Sequence, residues 1–276
     1  MVSGGSSSGR RRLGVALLLD PPHAAEVDGL RRAVGDRSLG RVPPHLTLVP
    51  PVNVRGRDLT AALGRLRAAA AAGGRPLRLT LGPPTTFLPA NPVLYLPVGG
   101  DLPELRRVHD TVFAGPLHRP LAWPWVPHVT LADDATPERI AAAMDALTGY
   151  QVVVDIDRLT MLEERSATFA PGERGAVRRW VPYADAALAP PAVVGRGGLE
   201  VTLVQGRVLG PDARRLIDEL GELGDDGSGE GPADVEPEIV LTALAGAWGA
   251  GGSSVAGGSS AAGGSSVAGG SSGAGG

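Results

Sequence analysis

Two strings of one pattern constrain this chain more than anything else in it: Pro44-His45-Leu46-Thr47-Leu48 and Pro127-His128-Val129-Thr130-Leu131, 83 positions apart. On average residue usage such a string arises by chance in roughly one chain in a thousand of this size, and a matched pair is far rarer. Side chains two apart on a strand share a face. His45 and Thr47 therefore point one way while Leu46 and Leu48 point the other, into a core. His128 and Thr130 repeat this against Val129 and Leu131. A lone histidine at a strand start reads as structural, but packing gives no reason to repeat His–x–Thr.

The rest of the chain reads as strands and amphipathic helices around these strings. Leu13–Asp20 is a strand stopped by Pro21 and Pro22, and Ala24–Gly35 is a helix. His45–Val54 is a strand, Asp58–Ala72 a helix, Leu77–Leu81 and Val93–Val98 strands, and Leu102–Phe113 a helix. After the strand His128–Ala132, Thr136 caps a helix over Glu138–Leu147 with Pro137 at its first position. Val152–Glu163 and Ala176–Ala184 form a hairpin through the turn around Pro171-Gly172. Two similar halves of this kind predict an α+β fold of two packed lobes spanning residues 10–188.

Flanking segments differ in character. Met1–Gly9 reads as a flexible leader. Residues 189–248 form an extension of unknown role: a strand over Gly198–Val208, a helix over Asp212–Leu223, an acidic linker over Gly224–Pro237 and an apolar segment over Ile239–Trp248. Residues 249–276 repeat Ser-Ser-x-Ala-Gly-Gly and read as a disordered tail.

Composition closes several reaction classes. The chain has no cysteine, so disulfides, thiolate metal sites and cysteine nucleophiles are excluded. All of its basic residues are arginine. Walker-type phosphate loops, Schiff bases and lysine–nucleotide intermediates each need a lysine. Residues 1–190 carry 22 Arg against 18 acids, or +4; residues 191–276 carry 4 Arg against 11, or −7, giving the overall −3. A mildly basic body suits a phosphate-bearing ligand. Nothing approaches the roughly 18 apolar residues of a membrane helix, and no signal peptide opens the chain, so a cytoplasmic, monomeric protein with no membrane partner is expected.

The residue types in the two strings fit phosphodiester hydrolysis. A base must take a proton from water, and an acid opposite must protonate the departing ribose oxygen; histidine does either near neutrality. Thr47 and Thr130 donate to the non-bridging oxygens. Such a site needs no metal or cofactor. The rival in which His45 and His128 ligate a metal with Asp133 or Asp134 lacks a supporting His–x–His or carboxylate cluster. Trp123 and Trp125, just before the second string, are candidates for stacking on a base, ahead of Tyr95 and Phe87. Arg41, Arg119 and Arg165 are candidates for phosphate contacts. His23, His109 and His118 read as surface or loop residues.

At His45-Leu46-Thr47-Leu48 and His128-Val129-Thr130-Leu131 the chain resembles the 2H phosphoesterase superfamily, in its branch of 2′-5′ RNA ligase-like, RNA 2′,3′-cyclic phosphodiesterases. The resemblance covers about residues 10–188. It implies a bilobal fold of two antiparallel sheets with pseudo-twofold symmetry around a central cleft, flanked by helices. It also implies metal-independent opening of RNA 2′,3′-cyclic phosphate ends to a 2′-phosphomonoester, with reversible 2′-5′ joining of RNA ends in some members. Residues 198–248 fall outside that core and faintly resemble the opening of an acetyltransferase domain, without its coenzyme A loop. Two alternatives stay open: an RNA-end binding module without turnover, and a phosphodiesterase for another small cyclic nucleotide, such as an ADP-ribose cyclic phosphate.

Overall fold

A computed structural model describes residues 9–168, 176–190, 192–196, 199–208 and 240–245. The leader, the Pro171-Gly172 turn, the Asp212–Leu223 helix, the acidic linker and the repeat tail lie outside the described residues.

The first half runs β1 (Arg10–Leu18), α1 (Pro21–Ala33), β2 (His45–Arg55), α2 (Leu59–Gly73), β3 (Leu77–Leu81) and the short β4 (Thr85–Thr86). The second runs β5 (Leu94–Gly100), α3 (Leu102–Val112), β6 (His128–Ala132), α4 (Pro137–Ala146), β7 (Val152–Ile156), β8 (Arg158–Thr168) and β9 (Ala176–Ala187). Beyond them lie β10 (Ala192–Arg196), β11 (Leu199–Val208) and β12 (Val240–Ala245). The order of hydrogen-bonded neighbours is β10-β11-β9-β8-β1-β2-β6-β5-β3-β7, with β12 beside β11 and β4 beside β5. Every pairing is antiparallel.

This is the expected α+β class, and its centre is symmetric. β1-α1-β2 and β5-α3-β6 are equivalent strand–helix–strand units whose second strands meet at the Leu46–Val129 pair. The two sheets are joined through β5, whose residues 94–97 pair with β6 while residues 98–100 pair with β3.

Three boundaries moved for identifiable reasons. Pro21 and Pro22 open α1 rather than only ending β1, because proline lacks the N–H that a first helical turn leaves unused. The single strand expected over Val152–Glu163 is two strands separated at Asp157, β7 pairing with β3 and β8 with β1. The sheet also continues past residue 188: Gly206–Val208 of β11 pair with Ala184–Ala186 of β9, Arg207 binds Asp185 at 2.8 Å, and Val208 is buried. Thr136 caps α4 as expected, accepting from the Arg139 N–H at 3.3 Å.

One apolar core unites these elements. Leu13, Val15 and Leu17 of β1, Leu46 and Leu48 of β2, Val129 and Leu131 of β6, and Leu63 and Leu66 of α2 are at most 2% exposed. Burying each such side chain is worth about 1.5–3 kcal/mol, which anchors both motif strands from behind. No described helix is long and apolar enough to cross a membrane.

Candidate active site

Residues directly opposite in an antiparallel pair share a face. One step to either side of Leu46–Val129 sets His45 across from Thr130 and Thr47 across from His128. The four motif side chains therefore form a two-by-two patch on one face of the sheet, each imidazole beside the other strand's hydroxyl. The two rings lie on a diagonal, where neighbours on paired strands are about 7–8 Å apart and somewhat less at Cβ. All four side chains are half-buried, while the leucine, valine and second leucine behind them are core.

Both rings are held alike. His45 Nδ1–H donates to the Pro43 carbonyl at 2.7 Å, and His128 Nδ1–H donates to the Val126 carbonyl at 2.7 Å. A carbonyl only accepts, so Nδ1 carries the hydrogen and Nε2 is the nitrogen left for a ligand. Each accepting carbonyl belongs to the residue before the motif's proline, and proline confines its predecessor to extended backbone. This accounts for the proline in both strings.

The electrostatics differ between the halves. Burial pushes the His45 pKa below its ordinary 6.5, the bond to Pro43 opposes this, and the charges of Arg31 and His128 push it further down. Burial likewise lowers His128, opposed by the bond to Val126. That His128 acts on His45 at all reflects their proximity. Arg31, 3% exposed, binds Asp36 and Asp28 at 2.8 Å each, Ser38 at 3.0 Å and the Val42 carbonyl at 3.1 Å. It thereby fastens α1 to the loop that delivers His45. With 26 arginines in the chain, nothing in the sequence singled it out.

On the other side, His128 meets the edges of Phe87 and Tyr95, with ring centroids 5.2 and 5.3 Å away. A cavity of about 510 Å³ opens there, lined by His128, Thr130, Phe87, Trp123, Asn91 and Asp133 among others. Trp123 is 71% exposed at its rim. Trp125 is placed differently. Its indole N–H donates to the Thr47 carbonyl at 2.9 Å, and its ring stacks on His109 at 3.9 Å. It braces the first motif strand and does not line the cavity.

The remaining candidates scatter. His109, read as a surface residue, is instead 6% exposed in α3, where it fills the space beneath Trp125. His118 is exposed and His23 contacts Asp20. Arg119 donates to the Pro51 carbonyl, Arg165 pairs with Glu163, and Arg41 is exposed on the loop before His45. Asp134 faces Arg37 at 3.5 Å, and no cluster of three or more His, Asp or Glu among the described residues could hold a metal ion.

The family model of the 2′-5′ RNA ligase superfamily matches residues 19–168, more than half of the chain and inclusive of both motif strands. The chain belongs to this superfamily. Similar proteins include a candidate phosphoesterase of Bacillus pumilus, 28% identical over 149 residues, covering 51% of this chain and 86% of the relative. Another, from Bacillus mycoides, is 27% identical over 153 residues, covering 55% and 87%. Among solved structures, a phosphoesterase gives a TM-score of 0.45 at 19% identity over 66% of this chain and 99% of its own. E. coli LigT complexed with phosphate gives 0.43 at 19% identity, with the same coverage.

Proposed function

We propose that the protein hydrolyses 2′,3′-cyclic phosphate ends of RNA to 2′-phosphomonoesters, using His45 and His128 as its acid–base pair and no metal. The observation that carries this reading is the diagonal pair of imidazoles, each fixed as the Nδ1–H tautomer with a hydroxyl beside it.

Burial favours the neutral form of both rings, and His45 alone has the charges of Arg31 and His128 pushing the same way, so His45 is assigned as the base. Its Nε2 takes a proton from water, whose oxygen bonds to phosphorus. The P–O3′ bond breaks, and His128 Nε2–H gives its proton to O3′. Thr47 and Thr130 donate to the non-bridging oxygens, where charge resides during transfer. The rings then return to their starting states by exchange with solvent. Phe87 and Trp123 offer the terminal base a stacking surface, worth about 1–3 kcal/mol per base at such sites. With the 5′-hydroxyl of a second RNA in place of water, the same forward steps break P–O3′ and join RNA ends through a 2′-5′ linkage.

The test is to incubate purified protein and a chelator with an oligonucleotide ending in a 2′,3′-cyclic phosphate and identify the product isomer. A 2′-phosphomonoester is expected. An untouched substrate, or turnover only after metal is added, rejects the proposal.

A further inference from the structure

The face of the sheet that holds the four motif side chains does not end with them. Ala16 of β1 lies opposite Thr47, so Gly14, Arg12 and Arg10 follow on the same face at steps of about 7 Å. Arg12 and Arg10 stand opposite Asn53 and Arg55 of β2. On the other flank Leu162 pairs with Gly14, which sets Glu164 and Ser166 of β8 on this face, opposite Trp180 and Arg178 of β9.

Two features of this stretch have no structural rationale of their own. Trp180 lies over Gly14, its ring 3.7 Å from where a Cβ would stand, an ordinary contact that packs the indole next to the catalytic row, while the Val49 carbonyl is the tighter neighbour at 3.1 Å. The Trp180 ring is only half-buried, and its backbone N–H is fixed by the Arg41 carbonyl at 2.8 Å. Beyond it, Arg10 and Arg55 face each other directly, both exposed. Like charges directly opposite on paired strands destabilise the pair; an anion between them reverses the sign. Arg12 and Arg178 flank a single acid, Glu164, at 3.2 and 3.7 Å, leaving that group cationic as well.

We infer that Trp180, Arg12, Arg178, Arg10 and Arg55 form a binding track for single-stranded RNA, holding the nucleotides that precede the reacting end. An aromatic platform beside a row of cations is what sequence-tolerant single-strand binding requires. This rests on the proposed function, in which the terminal base occupies the cavity beside His128. The track lies on the opposite side of the catalytic row and extends about 20 Å from it, so the strand crosses the two histidines at its last phosphate. It makes an RNA strand, rather than a free cyclic nucleotide, the preferred substrate.

Fluorescence anisotropy tests this with a labelled single-stranded RNA bearing a terminal 2′-phosphate, a ligand that needs no turnover. The triple variant Arg10→Ser, Arg55→Ser, Arg178→Ser should bind at least about tenfold more weakly, with a salt dependence shallower by about 2 in log–log slope. A control triple of equal charge, Arg32→Ser, Arg78→Ser, Arg107→Ser, carries its changes on α1, β3 and α3 and should stay within about twofold of the parent. Equal weakening in both triples, or an unchanged salt slope in the first, overturns the track. Its failure is separable from failure of the chemistry, which is read from hydrolysis of a cyclic mononucleotide.

Discussion

Leu46 lies directly opposite Val129, and this one cross-strand pair sets the distance between the two histidines. Both side chains are in the core, at 2% and 0% exposure, so the register of the motif face is fixed from behind it. A slip of one residue would turn each imidazole into the core and each leucine into solvent. Leu46→Ala should therefore destabilise the fold by about 2–5 kcal/mol, measurable by denaturant unfolding. A loss within error of zero would mean that the pair does not hold the register.

The two threonines are expected to matter through their hydroxyls alone. Thr47→Val and Thr130→Val preserve shape and should each lower kcat by about 10–100-fold while melting unchanged. A fall in melting temperature in step with activity would assign them to packing instead.

Trp125 joins the two halves, since it precedes the second motif and bonds the backbone of the first. Trp125→Phe keeps a ring against His109 but removes the indole donor, leaving the Thr47 carbonyl short of a partner. A loss of about 1 kcal/mol in stability is expected, together with a raised kcat penalty relative to KM. Unchanged kinetics would show that Thr47 needs no brace.

Protonation has a definite sign. His45, His109 and His128 all sit below their ordinary 6.5, chiefly because burial disfavours the charged ring. Their contribution to stability is present above that value and is lost as pH falls through it toward the folded-state values. His109→Phe should blunt the loss as pH falls below the ordinary 6.5, because it removes a buried titrating ring while keeping the stack on Trp125. For catalysis, the free enzyme needs one ring protonated and one neutral, so kcat/KM should peak on the acid side of 6.5. A bound phosphate anion favours the imidazolium, so the alkaline limb of kcat should lie at higher pH than that of kcat/KM. Coincident limbs would contradict a charged acid in contact with the phosphate.

Much of this was legible in the chain itself because strand alternation is a local rule. The face shared by His45 and Thr47, and the core role of Leu46 and Leu48, follow from period two alone. The helices were recognisable where apolar spacing and caps agreed, as at Thr136-Pro137. What escaped were relations between distant segments. The division of Val152–Glu163 at Asp157 depends on β3 and β1 claiming different partners. The stack of His109 on Trp125 and the seat of Trp180 over Gly14 join residues that no local pattern connects. Arg31 was invisible for another reason: its role comes from burial beside Asp36, and its residue type is common throughout the chain.

Two histidines acting on one phosphorus should behave as a unit, and mutant kinetics test that most directly. With a cyclic-phosphate oligonucleotide as substrate, His45→Ala and His128→Ala should each lower kcat by about a thousandfold or more, and the double variant should be little worse than either. Full activity in either single variant, or independent losses that multiply in the double, would contradict a shared site.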